Sequence, residues 1–231
     1  MAVDRNTIRR AQSLARDAVE EIVNESFPSV VRLAYGLTGS DAAGDRVVRH
    51  IVRRGLKMLP KFRDEGEPQR WFLHHTILAC RRETAVGDDD VLVTCDASPT
   101  PAYRAFVKAI RALPRQQAEA LILHHGESFN LRYIAVAMDC STAAAQQHLD
   151  AGTTTLRQIA GEQLEPLLLR VRLAYRHLTP SAGVQVPQVG QLVRRHVWPR
   201  RLWRVARALL VLAAAGAVAW MLWKIVPNIE Y

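Results

Sequence analysis

Four polar side chains at helical spacing are the best candidates for chemistry in this sequence. They are Thr142, Gln146, Gln147 and His148. A glutamine carboxamide can make two hydrogen bonds to the edge of adenine, so the glutamine pair suits contact with bases in a DNA groove. No Arg or Lys occurs from Thr142 until Arg157, although cations that neutralise phosphates supply most of the affinity of proteins for DNA. The segment therefore predicts base contacts with a weak hold on the phosphate backbone.

The residues around these side chains have the spacing of a helix-turn-helix. Ala135 is a small residue inside the first helix, where the two helices must approach closely. Asp139 falls in the turn, where a left-handed backbone is needed that Asp tolerates better than most residues. Ala145 and Leu149 fall where the second helix must pack inward, towards Ile134 and Met138. We therefore expect the second helix to present its polar side to a major groove.

Histidine and cysteine are the other residue types that could carry chemistry. They occur as His74–His75, His124–His125, Cys80, Cys95 and Cys140. Neighbours on a helix point about 100° apart, so neither histidine pair can chelate one metal ion. The cysteines form no CxxC pair, which argues against a disulfide framework and a zinc site, and free thiols fit a reducing cytoplasm. No glycine loop for phosphate and no carboxylate pair is present either, so we expect no enzyme, no cofactor and no metal.

The elements that must position these residues are helices. Apolar residues recur at three- and four-residue steps, and alternation of period two is weak and confined to VLVTC, residues 91–95. We expect a helix over residues 7–23, a second that opens at Pro28, and a third over residues 41–59. The pattern predicts an all-α chain with lobes over residues 1–84 and 102–178, a linker over 85–101, a basic linker over 179–199, a transmembrane helix over 200–226 and a tail over 227–231. Within the basic linker, residues 179–190 should be flexible.

The C-terminal stretch is apolar enough to cross a membrane. Residues 208–223 are sixteen residues without a charge, and an apolar stretch that continues to Val226 would extend about 28 Å, close to the hydrocarbon thickness of about 30 Å. Arg200, Arg201, Arg204 and Arg207 precede it. Arginines stay on the cytoplasmic side, so we expect a single span with the N-terminal lobes in the cytoplasm. A buried or interfacial helix is the alternative, because alanine and glycine make the stretch only moderately hydrophobic.

The distribution of charge separates this C-terminal part from the candidate helix-turn-helix. The chain of 231 residues has a net charge of +9, which suggests a polyanionic partner. Residues 179–231 contain seven Lys and Arg against one Glu, whereas residues 111–160 contain four cations and four carboxylates. The excess of positive charge therefore belongs mainly to the C-terminus, and it fits anionic lipid headgroups better than it supports DNA binding.

Several short motifs follow one another in the two lobes. In the first lobe, YGLTGSDAAGD has a glycine and an acidic turn before a long helix, and Trp71 in RWFLHHTI opens the last helix. In the second lobe, Leu113-Pro114, Ile134-Ala135 and Leu156 follow in order. In this order the motifs resemble regions 2 and 4 of the extracytoplasmic-function (ECF) sigma factors. The resemblance covers residues 25–161, with a linker where the family has one.

This resemblance implies partners and roles. It implies binding to bacterial core RNA polymerase and promoter DNA, control by an anti-sigma-type regulator, and a location at the bacterial inner membrane. The implied sites are Asp45, Arg49 and Arg53 towards polymerase, His74, Arg81 and Arg82 towards the −10 strand, and Thr142, Gln146, Gln147 and His148 towards the −35 groove.

The sequence also departs from the family at functional positions. Gly44 replaces the Glu of the family's Ala-Glu-Asp, and Val48 replaces its Gln. On the second helix of the helix-turn-helix, Gln146, His148 and Ala151 occupy positions where the family has cations. A second hypothesis therefore stays open: a docking or regulatory membrane protein derived from the sigma fold, which binds polymerase or another partner without recognising promoters.

Overall fold

The computed structural model describes residues 4–13, 15–83, 90–179 and 186–225, and these residues form helices and no strand. The helices are α1 (Arg5–Gln12), α2 (Arg16–Thr38), α3 (Asp41–Met58), α4 (Glu67–Cys80), α5 (Val91–Thr94), α6 (Pro101–Ala112), α7 (Arg115–Leu121), α8 (Leu131–Met138), α9 (Thr142–Ala160), α10 (Leu164–Arg176) and α11 (Val186–Ile225). A π-helical turn, Ile122–Gly126, follows α7. The expected all-α fold class is confirmed.

The boundary between the first two helices differs from the expectation. Helix α1 is capped by Ser13, whose hydroxyl donates to the Arg10 carbonyl oxygen over 2.7 Å. Helix α2 then runs without interruption through Pro28. Pro28 leaves the Asn24 carbonyl without its helical donor, but both residues are exposed, so water can reach that oxygen. The predicted helix over residues 7–23 and the predicted helix start at Pro28 are therefore wrong.

Close packing of α2 on α3 leaves no room for a side chain at position 44. Gly44 lies on α3 against the ring of Tyr35, and a Cβ at Gly44 would clash with that ring. The Tyr35 hydroxyl donates to a carboxylate oxygen of the neighbouring Asp45. The absence of a side chain at Gly44 thus allows the tyrosine ring to lie between the two helices, which a Glu would prevent.

The two lobes share one apolar core, which extends from Ile8 in α1 to Leu178 after α10. The segment after Asp90, expected to be part of a linker, is an ordered part of this core. Val91–Thr94 form the short helix α5 although their apolar residues alternate weakly, and Val91 and Leu92 are buried. The hydroxyl of Tyr103 on α6 donates to the Leu92 carbonyl oxygen over 3.0 Å. Residues 85–89 of the expected linker, and residue 84 before it, lie outside the described residues.

Helix α11 contains the candidate membrane span. The helix has 40 residues and contacts α2 and α3, and its stretch Val205–Leu222 is long and apolar enough to cross a membrane, with none of that stretch buried. The flexible segment predicted over residues 179–190 is wrong from residue 186 on, where α11 begins, while residues 180–185 and 226–231 lie outside the described residues. Arg207 is exposed. The side chains of Arg200, Arg201 and Arg204 lie outside the described part of the structure.

Candidate nucleic-acid interface

Helices α8 and α9 form the helix-turn-helix that the sequence predicts. Helix α8 ends at Asp139, which has the expected left-handed backbone with φ 57° and ψ 53°. The N–H of Cys140 donates to the Ala135 carbonyl oxygen over 3.0 Å. The Ser141 hydroxyl then accepts from the N–H of Ala144 over 3.1 Å and caps the start of α9. These local bonds fix the direction in which α9 leaves the turn.

Packing fixes which side of α9 faces outward. Ala145 and Leu149 are buried, as expected, together with Ile134 and Met138 of α8. Further along, a Cβ at Gly152 would lie only 2.9 Å from Cδ1 of Leu121, so α9 approaches α7 closely at this point. The opposite side of α9 is therefore the side that a nucleic acid could reach.

The outward side of α9 also carries a carboxylate, Asp150, which is not among the predicted site residues. Its exposed residues include Thr142, Gln147, Asp150 and Thr154. The Gln146 carboxamide, predicted to contact bases, instead donates to Asp150 over 2.7 Å. The four-residue spacing of these two side chains is the signal that could have predicted this bond. His148 and Gln146 are half-buried, so Thr142 and Gln147 are the two predicted base-contacting residues that are exposed.

An open groove of about 480 Å³ lies between the two lobes. The first lobe lines it from the end of α3 and from α4, and α8 of the helix-turn-helix lines it from the second lobe. The lining residues include Met58, Lys61, Phe62, Arg70, Trp71, His74, His75, Val136 and Asp139. A groove with an aromatic and apolar lining and cations nearby has the chemistry of a site for unpaired nucleotides.

Trp71 and His75 form the aromatic part of this groove. Their rings stack with centroids 4.2 Å apart and planes at 21°. The His75 Nδ1 lies 3.0 Å from the Trp71 carbonyl oxygen and must carry the proton of that bond. Burial, with the nearby charges of Arg54 and His74, lowers the pKa of His75. The imidazole is therefore neutral near pH 7 and extends the aromatic surface of Trp71.

The groove also has charged edges. Lys61 and Arg70 are exposed cations on the side of the first lobe. Glu67 accepts hydrogen bonds from the backbone N–H groups of Arg63 and Asp64 at 2.6 and 3.4 Å, and the bond from Arg63 above all lowers the pKa of the Glu67 carboxyl. The Glu67 carboxylate thus orders the loop before α4 while Lys61 and Arg70 face solvent.

Two residues predicted to face the −10 strand contact the second lobe instead. His74 Nδ1 lies 3.1 Å from the Ala137 carbonyl oxygen of α8. Arg81 makes two hydrogen bonds to Glu119 of α7, at 2.9 and 2.7 Å. These hydrogen bonds occupy the groups that are expected to contact DNA, and the expected contact with the −10 strand stays a prediction. Arg82 is exposed, as a DNA-contacting residue would be.

The residues predicted to face polymerase lie along α3 with different exposure. The Asp45 carboxylate accepts from Tyr35 and lies 3.5 Å from Arg49 Nη1. Its side chain is only 15% exposed, so Asp45 is better placed to stabilise α2 and α3 than to meet a partner. Arg53 is exposed one turn beyond Arg49 and is the most accessible residue of the three.

Metal ligands are a separate question. Within the described ranges, no three His, Cys, Asp or Glu side chains come together as metal ligands would.

Comparison with known proteins gives no relative. No protein-family model matches this chain, and a search of curated proteins found no match.

Proposed function

We propose that this protein is a membrane-tethered transcription-initiation factor of the ECF sigma type, which brings core RNA polymerase to promoter DNA. The observation that carries the proposal is the helix-turn-helix geometry of α8 and α9, with the left-handed Asp139 between them and an exposed polar side on α9. A second helix fixed in this way is positioned to enter a major groove. The sequence resemblance of the first lobe to region 2 supports the proposal as well.

In this proposal α9 contacts the −35 element. Gln147 is exposed in the middle of the outward side, where its carboxamide can pair with the edge of adenine. Thr142 lies exposed in the first turn, where the helix N-terminus favours a phosphate. The Asp150 carboxylate repels the phosphate backbone of DNA, so α9 alone binds DNA weakly. Binding to the −35 element therefore depends on attachment of the whole protein to polymerase.

The groove between the lobes is the proposed site for the −10 strand. Unpaired bases stack on aromatic side chains, at about 1–3 kcal/mol per base, and the Trp71–His75 stack supplies such a surface. Lys61 and Arg70 at the edge of the groove suit the phosphates of that strand. Because α8 forms the opposite wall, the groove must widen before a strand can enter, which separates the bonds of His74 and Arg81 to the second lobe.

The first test is retention of purified core polymerase by the full chain in nanodiscs of phosphatidylcholine, a neutral lipid. We expect Arg53→Glu to weaken retention, because Arg53 is exposed on the proposed polymerase-binding side of α3. Arg104→Glu is the matched control, an equal charge change at an exposed position of α6. If the unmodified chain retains no polymerase, the proposal fails.

A second candidate is a docking protein that binds polymerase or a regulator without recognising promoters. Asp150 favours it, because a carboxylate on the outward side of a recognition helix opposes phosphate binding. The engagement of Arg81 with Glu119 favours it as well. The two candidates separate in one experiment: the docking protein would bind polymerase in the nanodiscs yet direct no transcription from specific start positions.

A further inference from the structure

The exposed side of α3 carries a line of cations, which we call the α3 cation stripe. It consists of Arg46, Arg53, Arg54 and Lys57, with His50 between them, and all five residues are exposed although α11 packs against the same helix. The four cations fall within about a quarter of the helix circumference at 100° per residue. They extend over three turns, so they form a flat positive surface rather than a pocket.

Few carboxylates offset this charge. Glu83 pairs with Arg46 at 2.7 Å, and Asp45 lies near Arg49 beside the stripe. None of the ion pairs that the described residues form includes Arg53, Arg54 or Lys57. Two guanidinium groups and one ammonium group thus face solvent in this part of the chain. Exposed cations of this kind are attracted to a flat anionic surface.

Helix α3, which carries the stripe, contacts the helix that contains the candidate membrane span. The stretch Val205–Leu222 is entirely exposed, and Leu202 and Trp203 before it are exposed as well. The contacts of α11 with α2 and α3 therefore lie in its first half. Helix α11 starts at Val186. A helix rises about 1.5 Å per residue, so the contact with α3 lies no more than about 28 Å before Val205, measured along the axis of α11.

We propose that the α3 cation stripe binds the anionic phospholipid headgroups of the membrane that α11 crosses. Each cation close to such a surface contributes about a fivefold preference for it. That preference would be weak for a free domain, but α11 makes the contact intramolecular and raises the local concentration of headgroups. The lipid contact orients the two lobes on the membrane instead of leaving them on a free tether.

This inference rests on the proposed membrane tether and not on promoter binding. It gives the tether a regulatory role, because Arg53 belongs both to the stripe and to the proposed polymerase-binding side of α3. Headgroups and polymerase then compete for the same side chain, and an anionic membrane lowers the fraction of protein that is ready to bind polymerase.

The experiment measures how fast a thiol reagent reaches the stripe in the full chain. His50→Cys places a thiol within the stripe without removing an Arg or Lys, in a background with Cys95→Ser and Cys140→Ser. The protein is reconstituted in nanodiscs of phosphatidylcholine alone or of phosphatidylcholine mixed with phosphatidylglycerol. We expect labelling several-fold slower in the mixed nanodiscs, and equal rates at about 1 M salt, where the Debye length falls to about 3 Å.

A charge reversal supplies the second arm. Arg53→Glu with Lys57→Glu should remove the effect of phosphatidylglycerol, whereas Arg104→Glu with Lys108→Glu, an exposed pair at the same spacing on α6, should leave it intact. Equal labelling rates in both lipids at low salt, measured on the protein without a charge reversal, would overturn the proposal. This outcome holds even if the charge-reversal variants fail to fold. If duplex DNA slows the labelling and phosphatidylglycerol does not, the proposal is also overturned, and the stripe is a nucleic-acid-binding surface. Failure of the chain to enter nanodiscs would instead disprove the tether.

Discussion

Arg81 at the end of α4 and Glu119 in α7 form a two-bond ion pair that joins the two lobes. The Nε–Oε1 distance is 2.9 Å and the Nη2–Oε2 distance is 2.7 Å. The Glu119 side chain is 4% exposed and that of Arg81 26%, so the carboxylate is buried and the guanidinium closes over it. An arginine that is expected to face DNA thus neutralises a buried charge in the second lobe.

Removal of Arg81 should destabilise the folded protein strongly. Arg81→Ala leaves the Glu119 carboxylate buried without its cation, which costs about 3–5 kcal/mol. Arg82→Ala, at the exposed neighbouring position, should change the free energy of unfolding by about 0.5 kcal/mol or less. The measurement is urea unfolding of fragment 1–179, which contains the whole described core. Equal losses for the two variants would show that the ion pair does not join the lobes.

His125 should make the fold sensitive to acid. Burial, with smaller effects from His124 and Arg172, lowers the pKa of His125 from 6.5 to about 4. Above about pH 6.5 the imidazole is neutral in both states and costs no stability. As the pH falls towards about 4, the unfolded chain binds a proton that the folded chain does not, so stability decreases.

The test of this pH dependence compares urea midpoints near pH 7 and pH 5. His125→Gln should reduce the loss between the two pH values, while His50→Gln, at an exposed site, should not. His75, whose pKa burial also lowers, contributes in the same direction, so part of the loss remains in the variant. The same loss in His125→Gln as in the unmodified fragment would contradict the assignment.

Asp150 should weaken DNA binding by α9. Asp150→Lys removes a carboxylate from the outward side, releases the Gln146 carboxamide and adds a cation. We expect tighter binding of a −35-like duplex and a salt dependence steeper by about 0.9 in the slope of log K against log salt concentration. The measurement is fluorescence anisotropy of the labelled duplex at several salt concentrations. Glu162→Lys makes the same charge change at an exposed position beyond α9, and an equal effect there would mean that α9 does not face the duplex.

The C-terminus should lie on the far side of the membrane from the lobes. Arginines precede Val205–Leu222, and positively charged flanks stay in the cytoplasm. Alkaline phosphatase fused after Tyr231 should therefore be active, because it works only after export, whereas a fluorescent protein that folds only in the cytoplasm should be dark. The opposite pattern would reverse the orientation, and recovery of the intact chain in the soluble fraction would exclude the span.

The helix-turn-helix is the part of the fold that the sequence predicts best, because its signals are local. Asp139 tolerates a left-handed backbone, and Ala145 and Leu149 follow at helical spacing, so the turn and the buried side are both expected. The break at Ser13 is not predictable in this way. Apolar residues continue at helical spacing across it, and α1 ends in hydrogen bonds at Ser13, such as the bond from its hydroxyl to the Arg10 carbonyl, which the apolar pattern does not signal.

Contacts between the lobes could not be predicted, because they depend on tertiary packing. Arg81 and Glu119 are 38 positions apart, and nothing in their local sequence pairs them. The same holds for Arg32 and Glu127, which form a second ion pair between the lobes with N–O distances of 3.0 and 3.1 Å. Sequence patterns predict which residues are charged, but only the fold decides that Arg81 faces the protein while Arg82 faces solvent.

Promoter-dependent transcription tests the central claim most directly. Core RNA polymerase is incubated with bacterial genomic fragments and the full chain in phosphatidylcholine nanodiscs, and the start positions of the transcripts are mapped. A membrane-tethered sigma-type factor predicts discrete starts that are absent with core polymerase alone. Gln147→Ala, on the exposed side of α9, should weaken these starts, and Gln116→Ala, exposed on α7, should not. No added starts, while the chain still binds polymerase, would contradict promoter recognition and identify the protein as a docking module.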